Sequence, residues 1–201
     1  MSKTNIDAVM CLLWMLTYTL VLVGTEKYKY PLISPITQLV IAPFEFAVLF
    51  KLIVENAAGT NYIFVSYLYW TMIEIAIVAA LIRHNFIPHK YVALYLLLML
   101  VITAGMCYAV AYNGQQYFFS YFNTFIGEIV WLFHIKKKEY PTKPIVLLMF
   151  CAKLIGDAIS IPVYYGQGPR LIDLICILLP IVDFMFIHIH FVRKSENAHM
   201  H

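Results

Sequence analysis

Charged residues are scarce in this chain: they make up 12% of its 201 residues, whereas 62% are hydrophobic. Soluble domains have about 25% charged and about 45 to 50% apolar residues. The shortage of charge excludes an ordinary soluble domain and indicates a membrane protein. The four cysteines all fall within apolar segments, so we expect small apolar fillers and not a disulfide framework or a zinc site. They are Cys11, Cys107, Cys151 and Cys176.

Several catalytic motifs are also absent. The chain has no aspartate-rich diphosphate-and-magnesium motif, no H-E-x-x-H, no glycine-rich phosphate loop and no G-x-S-x-G. These absences argue against metal-dependent ionisation of a prenyl diphosphate, and we expect neither a metal nor a cofactor. The last apolar segment carries no lysine that could form a Schiff base, which excludes a retinal protein.

Seven apolar segments approach the roughly 20 residues that an α-helix needs to cross a bilayer. The connections between them are short and leave no room for a soluble domain. We predict an all-α bundle of seven transmembrane helices that forms a single domain over residues 1-201. The predicted helices cover residues 6-24, 32-54, 62-82, 91-112, 117-135, 145-165 and 172-192.

Basic residues are concentrated on one side of the predicted bundle. The positive-inside rule therefore places the C-terminus in the cytoplasm and the N-terminus outside or in a lumen. The run KKKEYPTK is interpreted as a topology signal and not as a nucleic-acid-binding patch. We expect a multi-pass protein of a bacterial inner membrane or the endoplasmic reticulum, with membrane lipid around it. The basic side carries Lys27, Lys29, Arg83, Lys90, Lys136, Lys137, Lys138, Lys143, Arg193 and Lys194, against Lys3, Lys51 and Arg170 on the other.

Ionisable residues nevertheless occur deep inside the apolar segments. Each costs about 2.5 to 3.5 kcal/mol at the bilayer centre, so each is a functional hypothesis by default. Helical spacing aligns them with other polar side chains, and such stripes must face the bundle interior because lipid offers no partners. The stripes are Ser34, Gln38 and Glu45; Ser66, Trp70 and Glu74; Ser120, Thr124 and Glu128; and Lys153, Asp157, Ser160 and Tyr164, with Asp183 in the last helix.

Two of these acids stand apart. Glu45 and Asp183 have no basic neighbour on their own segments, so burial should keep both carboxyls protonated near neutrality. A protonated carboxylic acid in a dry cavity can donate a proton. The remaining groups, above all Lys153 with Asp157, can instead be explained as hydrogen-bonding links between helices, each worth about 0.6 to 2 kcal/mol.

Four segments resemble the helices of a known enzyme family. PLISPITQLVIAPFEFAVLFKLIV, YWTMIEIAIVAALI, AKLIGDAISIPVYY and LLPIVDFMFIHIHFVRKSE are similar to helices 2, 3, 6 and 7 of the small seven-helix integral membrane terpene cyclases. That family includes fungal meroterpenoid cyclases of the pyripyropene type and bacterial cyclases of prenylated indole alkaloids. Two positions depart from its pattern, since Phe44 stands where the family has tryptophan and Glu74 where an amide is expected.

The resemblance implies a metal-independent cyclisation of a linear prenyl chain, with or without an indole or other aromatic head group. Glu45 and Asp183 would protonate a terminal epoxide or alkene, and Glu74 would orient one of them or take the final proton. The aromatic residues would fold the substrate and stabilise positive charge. We expect the substrate site to be lined by Phe44, Trp70, Gln38, Tyr69, Tyr121, Glu128, Trp131, Asp157 and Tyr164.

Three alternatives remain open on sequence grounds. A sterol isomerase-like membrane enzyme would use the same kind of buried acids. A small proton-coupled transporter would also carry carboxyls at mid-membrane depth. A purely structural membrane protein is the third. All three share the expectation that Glu45 and Asp183 lie inside the bundle.

Overall fold

The structure, a computed structural model, describes residues 3–55, 62–113, 116–137, 139–166 and 170–199. Throughout these ranges the regular secondary structure is helical, as the sequence predicts. One short 3₁₀ turn, His89–Tyr91, leads into α4. The long helices are α1 (Lys3–Tyr28), α2 (Pro35–Val54), α3 (Tyr62–Arg83), α4 (Val92–Asn113), α5 (Gln116–Ile135), α6 (Pro144–Tyr164) and α7 (Arg170–His199).

Six of these helices are long and apolar enough to cross a membrane, and the protein is therefore a multi-pass membrane protein. Within the described residues, α5 does not meet that criterion. Asn123, Thr124 and Glu128 interrupt the apolar residues of α5 within little more than one turn. A helix of this kind needs neighbours that cover its polar face.

Six helices form a closed ring. Helix α1 packs against α3, α3 against α2, α2 against α5, α5 against α7, α7 against α6, and α6 returns to α1. Helix α4 lies outside this ring, chiefly against α2. It contains no acidic, lysine or arginine residue and exposes many leucines, as expected for a helix that faces lipid.

Helix ends follow the local sequence. At the start of α2, Ser34 is the N-cap, and its hydroxyl accepts a hydrogen bond from the Thr37 amide at 3.0 Å. Pro35 follows at the first helical position, where no amide hydrogen is needed. Helix α1 runs past Gly24, where the sequence predicts its end. A Cβ at Gly24 would lie 2.3 Å from Leu32, so the glycine allows close packing and is not a helix stop.

The end of the bundle that carries Glu26 and Arg83 is called the basic face here. At this face, side chains of α5 and of the α5–α6 connection hold the α1–α2 connection in place. The Leu32 carbonyl accepts hydrogen bonds from the Trp131 indole at 2.7 Å and the Tyr140 hydroxyl at 2.8 Å. Burial raises the pKa of the Tyr140 phenol, which keeps it a neutral donor. The opposite end, where Asp7 lies, is called the Asp7 face.

Gly156 tests the packing of α1 against α6. A Cβ there would lie 2.8 Å from the Trp14 ring, so we expect Gly156→Ala to lower the free energy of unfolding by about 1 to 3 kcal/mol. Gly105→Ala on α4 is the control, since nothing lies within 4 Å of its added carbon and alanine favours the helix. Thermal unfolding in detergent should show a lower melting temperature for Gly156→Ala but not for Gly105→Ala. Equal melting temperatures would contradict the packing.

Candidate functional site

The interior of the ring is polar at middle depth. Every ring helix contributes at least one polar or ionisable side chain there, while α4 contributes no charged one. At about 1.5 Å per residue, these side chains lie about 10 to 24 Å from the basic-face ends of their helices. They are Tyr18 on α1, Glu45 on α2, Glu74 on α3, Glu128 on α5, Lys153 on α6 and Asp183 on α7.

Lys153 is the centre of one group of charges, which we call the Lys153 cluster: Lys153, Glu128, Asp157 and Asp183. Its ammonium donates to Glu128 and, at 2.6 Å, to Asp157, and it lies 3.3 Å from Asp183. All three carboxyls are fully buried and Lys153 nearly so. The cluster joins α5, α6 and α7. Removing one partner from such a buried network leaves an uncompensated charge.

The three carboxyls of this cluster are not equivalent. Both Asp157 oxygens are occupied, one by the Trp14 indole N–H at 2.7 Å and the other by Lys153. Asp183, in contrast, has no hydrogen bond to either oxygen within the described residues and is held by charge alone. One ammonium also cannot balance three carboxylates. Asp157 therefore links Lys153 to Trp14, whereas both Asp183 oxygens remain without a hydrogen-bond partner among the described residues.

The carboxyl oxygens of Glu128, Asp157 and Asp183 lie within 4.8 Å of one another, a spacing that suits a metal ion. Lys153 donates to two of them and faces the third, so its ammonium already provides the positive charge at this point. A divalent cation would have to displace a buried lysine. The donor set fits a cation in chemical type, but the lysine already fills that role.

Glu45 and Glu74 form a second group, which we call the Glu45–Glu74 pair. They lie on the packed helices α2 and α3, close enough to interact electrostatically. Glu74 is fully buried, and neither of its oxygens has a hydrogen-bond partner among the described residues; the same is true of one Glu45 oxygen. No basic side chain pairs with either residue there. Two carboxyls in this setting share a proton more readily than they carry two charges.

Aromatic side chains pack together on α1, α2 and α3, and α2 and α3 also carry the Glu45–Glu74 pair. Phe44 is buried against Val48 and Tyr67, and Trp70 packs edge-on to Tyr67 with ring centroids 5.0 Å apart. The Trp14 ring lies 5.9 Å from that of Trp70. Aromatic faces attract cations without reacting with them as nucleophiles. Trp70 lies one helical turn before Glu74 on α3, so this aromatic group is on the same helix face as one member of the acid pair.

Tyr18 connects the two acid groups. Its phenol interacts electrostatically with Glu74 and Glu45 on one side and with Lys153 and Glu128 on the other. The ring packs against the main core and also against the small cluster that contains Trp70. Tyr18 is therefore within electrostatic range of both the Glu45–Glu74 pair and the Lys153 cluster.

The Asp7 face is closed by hydrogen bonds. The Asp7 carboxylate accepts from the Tyr164 hydroxyl at 2.7 Å and from the Tyr62 hydroxyl at 2.5 Å, which joins α1, α6 and α3. The Tyr164 ring also lies edge-on to Tyr121, with centroids 5.4 Å apart. Two of the predicted substrate residues, Tyr121 and Tyr164, therefore meet at the aromatic end of the ring interior.

The structure brings most of the predicted site residues to the ring interior but groups them differently. Asp183 has no basic neighbour on its own helix, as the sequence shows, but α6 supplies Lys153 because α6 and α7 are neighbours. Glu45 interacts electrostatically with Glu74, and within the described residues no bond or ion pair joins it to Asp183. Gln38 is fully buried on the Glu45 side of α2, with neither amide atom hydrogen-bonded there.

Two other predicted residues have structural partners. Trp131 donates to the Leu32 carbonyl and packs on Phe150 and Phe186 near the basic face, which makes it part of the core. Tyr69 forms a hydrogen bond with Thr19 and links α3 to α1. Ser120, from the predicted α5 stripe, has a side chain outside the described residues.

Helix α1 contributes residues that the sequence analysis omits. Asp7, Cys11, Trp14 and Tyr18 follow one another at spacings of four, three and four, and each lies near an acid or an aromatic residue of the site. Such spacing places side chains on one helix face. The same stripe rule that selects Glu45 and Glu74 would have found them, had α1 contained an acid at middle depth.

Comparison of the chain with protein-family models, with curated proteins and with solved structures finds no match. A functional assignment therefore depends on the geometry of the ring interior. The Lys153 cluster and the Glu45–Glu74 pair differ in one respect that bears on chemistry, because the first contains a lysine and the second does not.

Replacement of the central lysine tests the Lys153 cluster. Lys153→Met should lower the free energy of unfolding by about 3 to 5 kcal/mol, because three buried carboxyls lose their countercharge. The loss should be smaller at pH 5 than at pH 8, since protonation of the carboxyls removes the uncompensated charge. Lys143→Met, on an exposed side chain at the start of the same helix, should leave stability unchanged. Equal melting temperatures for both variants at pH 8 would contradict a stabilising cluster.

Proposed function

We propose that the protein is an integral membrane terpene cyclase of the metal-independent, protonation-initiated class. The observation that carries this proposal is the Glu45–Glu74 pair, two carboxyls at middle depth with no basic partner among the described residues. A buried acid without a countercharge is suited to donate a proton to a weakly basic group. The substrate is a lipophilic linear prenyl chain, alone or attached to an indole or other aromatic head group.

The Glu45–Glu74 pair is the acid in this proposal. Glu45 is only partly buried and so is the member that reaches the substrate, whereas Glu74 is enclosed behind it. With both carboxyls protonated, Glu45 gives its proton to a terminal alkene carbon or to an epoxide oxygen. Glu74 keeps its own proton and shares it with the Glu45 carboxylate until a second proton returns.

Asp183 is the base that ends the reaction. Lys153 lies 3.3 Å from it and favours its carboxylate form, while Asp157 and Trp14 hold Lys153 and its neighbours in place. A carbocation loses a proton to this carboxylate and forms a double bond. One proton enters and one leaves, so the product is an isomer of the substrate. Tyr18, within electrostatic range of both groups, is placed to help return the proton.

Aromatic residues stabilise the cation between these two steps. Phe44, Tyr67 and Trp70 are packed together on the two helices that carry the acid pair, and Trp14 extends the wall toward Asp157. Ring faces lower the energy of positive charge in a site without water. Tyr121 and Tyr164 extend the aromatic surface toward the Asp7 face.

The membrane arrangement proposed with this function has seven crossings. Helix α5 closes the ring between α2 and α7 and, at 20 residues, is long enough to span despite its polar face. The positive-inside rule then puts the basic face and the C-terminus in the cytoplasm, with the N-terminus outside or in a lumen. The membrane is a bacterial inner membrane or the endoplasmic reticulum.

A proton-coupled transporter is the second candidate. The observation in its favour is the line of titratable groups from the Glu45–Glu74 pair through Tyr18 to the Lys153 cluster. Transport requires a polar path that opens to both faces in turn. Uptake of a solute into proteoliposomes, driven by a pH gradient, would favour this candidate over the cyclase.

Conversion of prenylated substrates tests the proposal directly. Purified protein in detergent, given farnesylated aromatic compounds with a terminal alkene or epoxide, should form cyclic isomers in the presence of EDTA. In D₂O, an alkene substrate should gain one deuterium on carbon. Glu45→Gln and Asp183→Asn should each lower the rate by at least about 100-fold, the usual contribution of a positioned acid or base.

Matched variants on the same helices control for folding. Glu55→Gln removes an acid that pairs with Lys51 at the end of α2, and Asp173→Asn removes one that accepts from the Gly166 amide near the start of α7. Both should retain activity. If EDTA stops the reaction, or if Glu45→Gln and Asp183→Asn both remain active, the cyclase assignment is wrong.

A further inference from the structure

An apolar groove opens on the lipid side of the bundle at the basic face. It lies between the start of α2, the α3–α4 connection and the first turns of α4, and it encloses about 210 Å³. Phe86, Tyr91, Leu94, Tyr95 and Leu98 form most of its wall. The Tyr95 hydroxyl donates to the Pro35 carbonyl at 2.9 Å, which fixes α4 against α2 and keeps the groove open between them.

One cation stands at the mouth of this groove. The Lys90 ammonium lies 4.8 Å from the centroid of the Tyr91 ring, which lines the groove, and the side chain is exposed. Within the described part of the chain, Lys90 forms no ion pair. The other cations nearby in sequence differ, because Arg83 and His84 are both paired with Glu26. Lys90 is thus free to bind an external anion.

The position along the membrane normal matches a lipid headgroup. Arg83 ends one apolar span and His89 begins the next, so Lys90 lies at the boundary of the hydrocarbon layer. Cationic side chains at this depth meet lipid phosphates, and each contributes about 1 kcal/mol when the lipid is anionic. A second groove, between α1 and α6, is walled by apolar side chains only and offers no such selectivity.

We infer that this groove is a binding site for an anionic phospholipid, with an acyl chain between α2 and α4 and the headgroup phosphate on Lys90. The groove provides apolar contacts for the acyl chain, and the unpaired Lys90 ammonium selects an anionic headgroup. The inference is independent of the chemistry proposed for the ring interior. It predicts a bound lipid that survives removal of the surrounding bilayer.

Native mass spectrometry of the detergent-purified protein tests this inference. Titration with phosphatidylglycerol and with phosphatidylcholine of the same chain length should show saturable binding that favours phosphatidylglycerol. Lys90→Gln should weaken binding of phosphatidylglycerol by about fivefold and leave phosphatidylcholine unchanged. Leu98→Trp, which fills the groove, should weaken binding of both lipids.

Lys136→Gln is the matched control. Lys136 is also exposed at the basic face and lies 5.8 Å from the centroid of the Phe133 ring, but Phe133 does not line this groove. This variant should bind phosphatidylglycerol like the unaltered protein. Equal binding of the two lipids, equal effects of Lys90→Gln and Lys136→Gln, or stabilisation by inorganic phosphate equal to that by phosphatidylglycerol would overturn the inference.

Discussion

The contact between Lys153 and three buried carboxyls is the constraint on which the rest of the structure depends. It ties α5, α6 and α7 together at middle depth, and the Trp14 indole extends it to α1. A single ammonium in this place faces three carboxyls and cannot balance a charge on each of them. The acids on α2 and α3 form no direct bond to Lys153 within the described residues. The ring interior therefore has one half with a countercharge and one half without.

The division gives the two halves different chemistry. Lys153 favours the carboxylate form of an acid beside it, so its side can receive a proton. Carboxyls without a countercharge keep a proton, so the Glu45–Glu74 side can donate one. Tyr18 is within electrostatic range of both sides. An enzyme that adds a proton at one end of an apolar molecule and removes one elsewhere needs this kind of separation.

Much of the fold and part of the site could be predicted from the sequence. Apolar runs of spanning length predict the helices, and the spacing of Gln38, Glu45, Trp70 and Glu74 predicts which side chains face inward. The order of helices around the ring could not be predicted, because periodicity fixes the face of one helix but not its neighbour. For that reason the partners of Glu45 and Asp183 were not predictable: Glu74 came from α3 and Lys153 from α6.

The central claim is that the Glu45–Glu74 pair, which has no countercharge among the described residues, holds a proton at neutral pH, while Lys153 favours a carboxylate form among the acids beside it. Infrared difference spectroscopy of the reconstituted protein reports protonated carboxyls through their C=O stretching band. The account predicts such a band at pH 7 that loses intensity when Glu45→Gln and Glu74→Gln are combined and keeps its intensity in Asp157→Asn. Absence of the band in the unaltered protein, or its loss only on substitution of Asp157, would contradict the account.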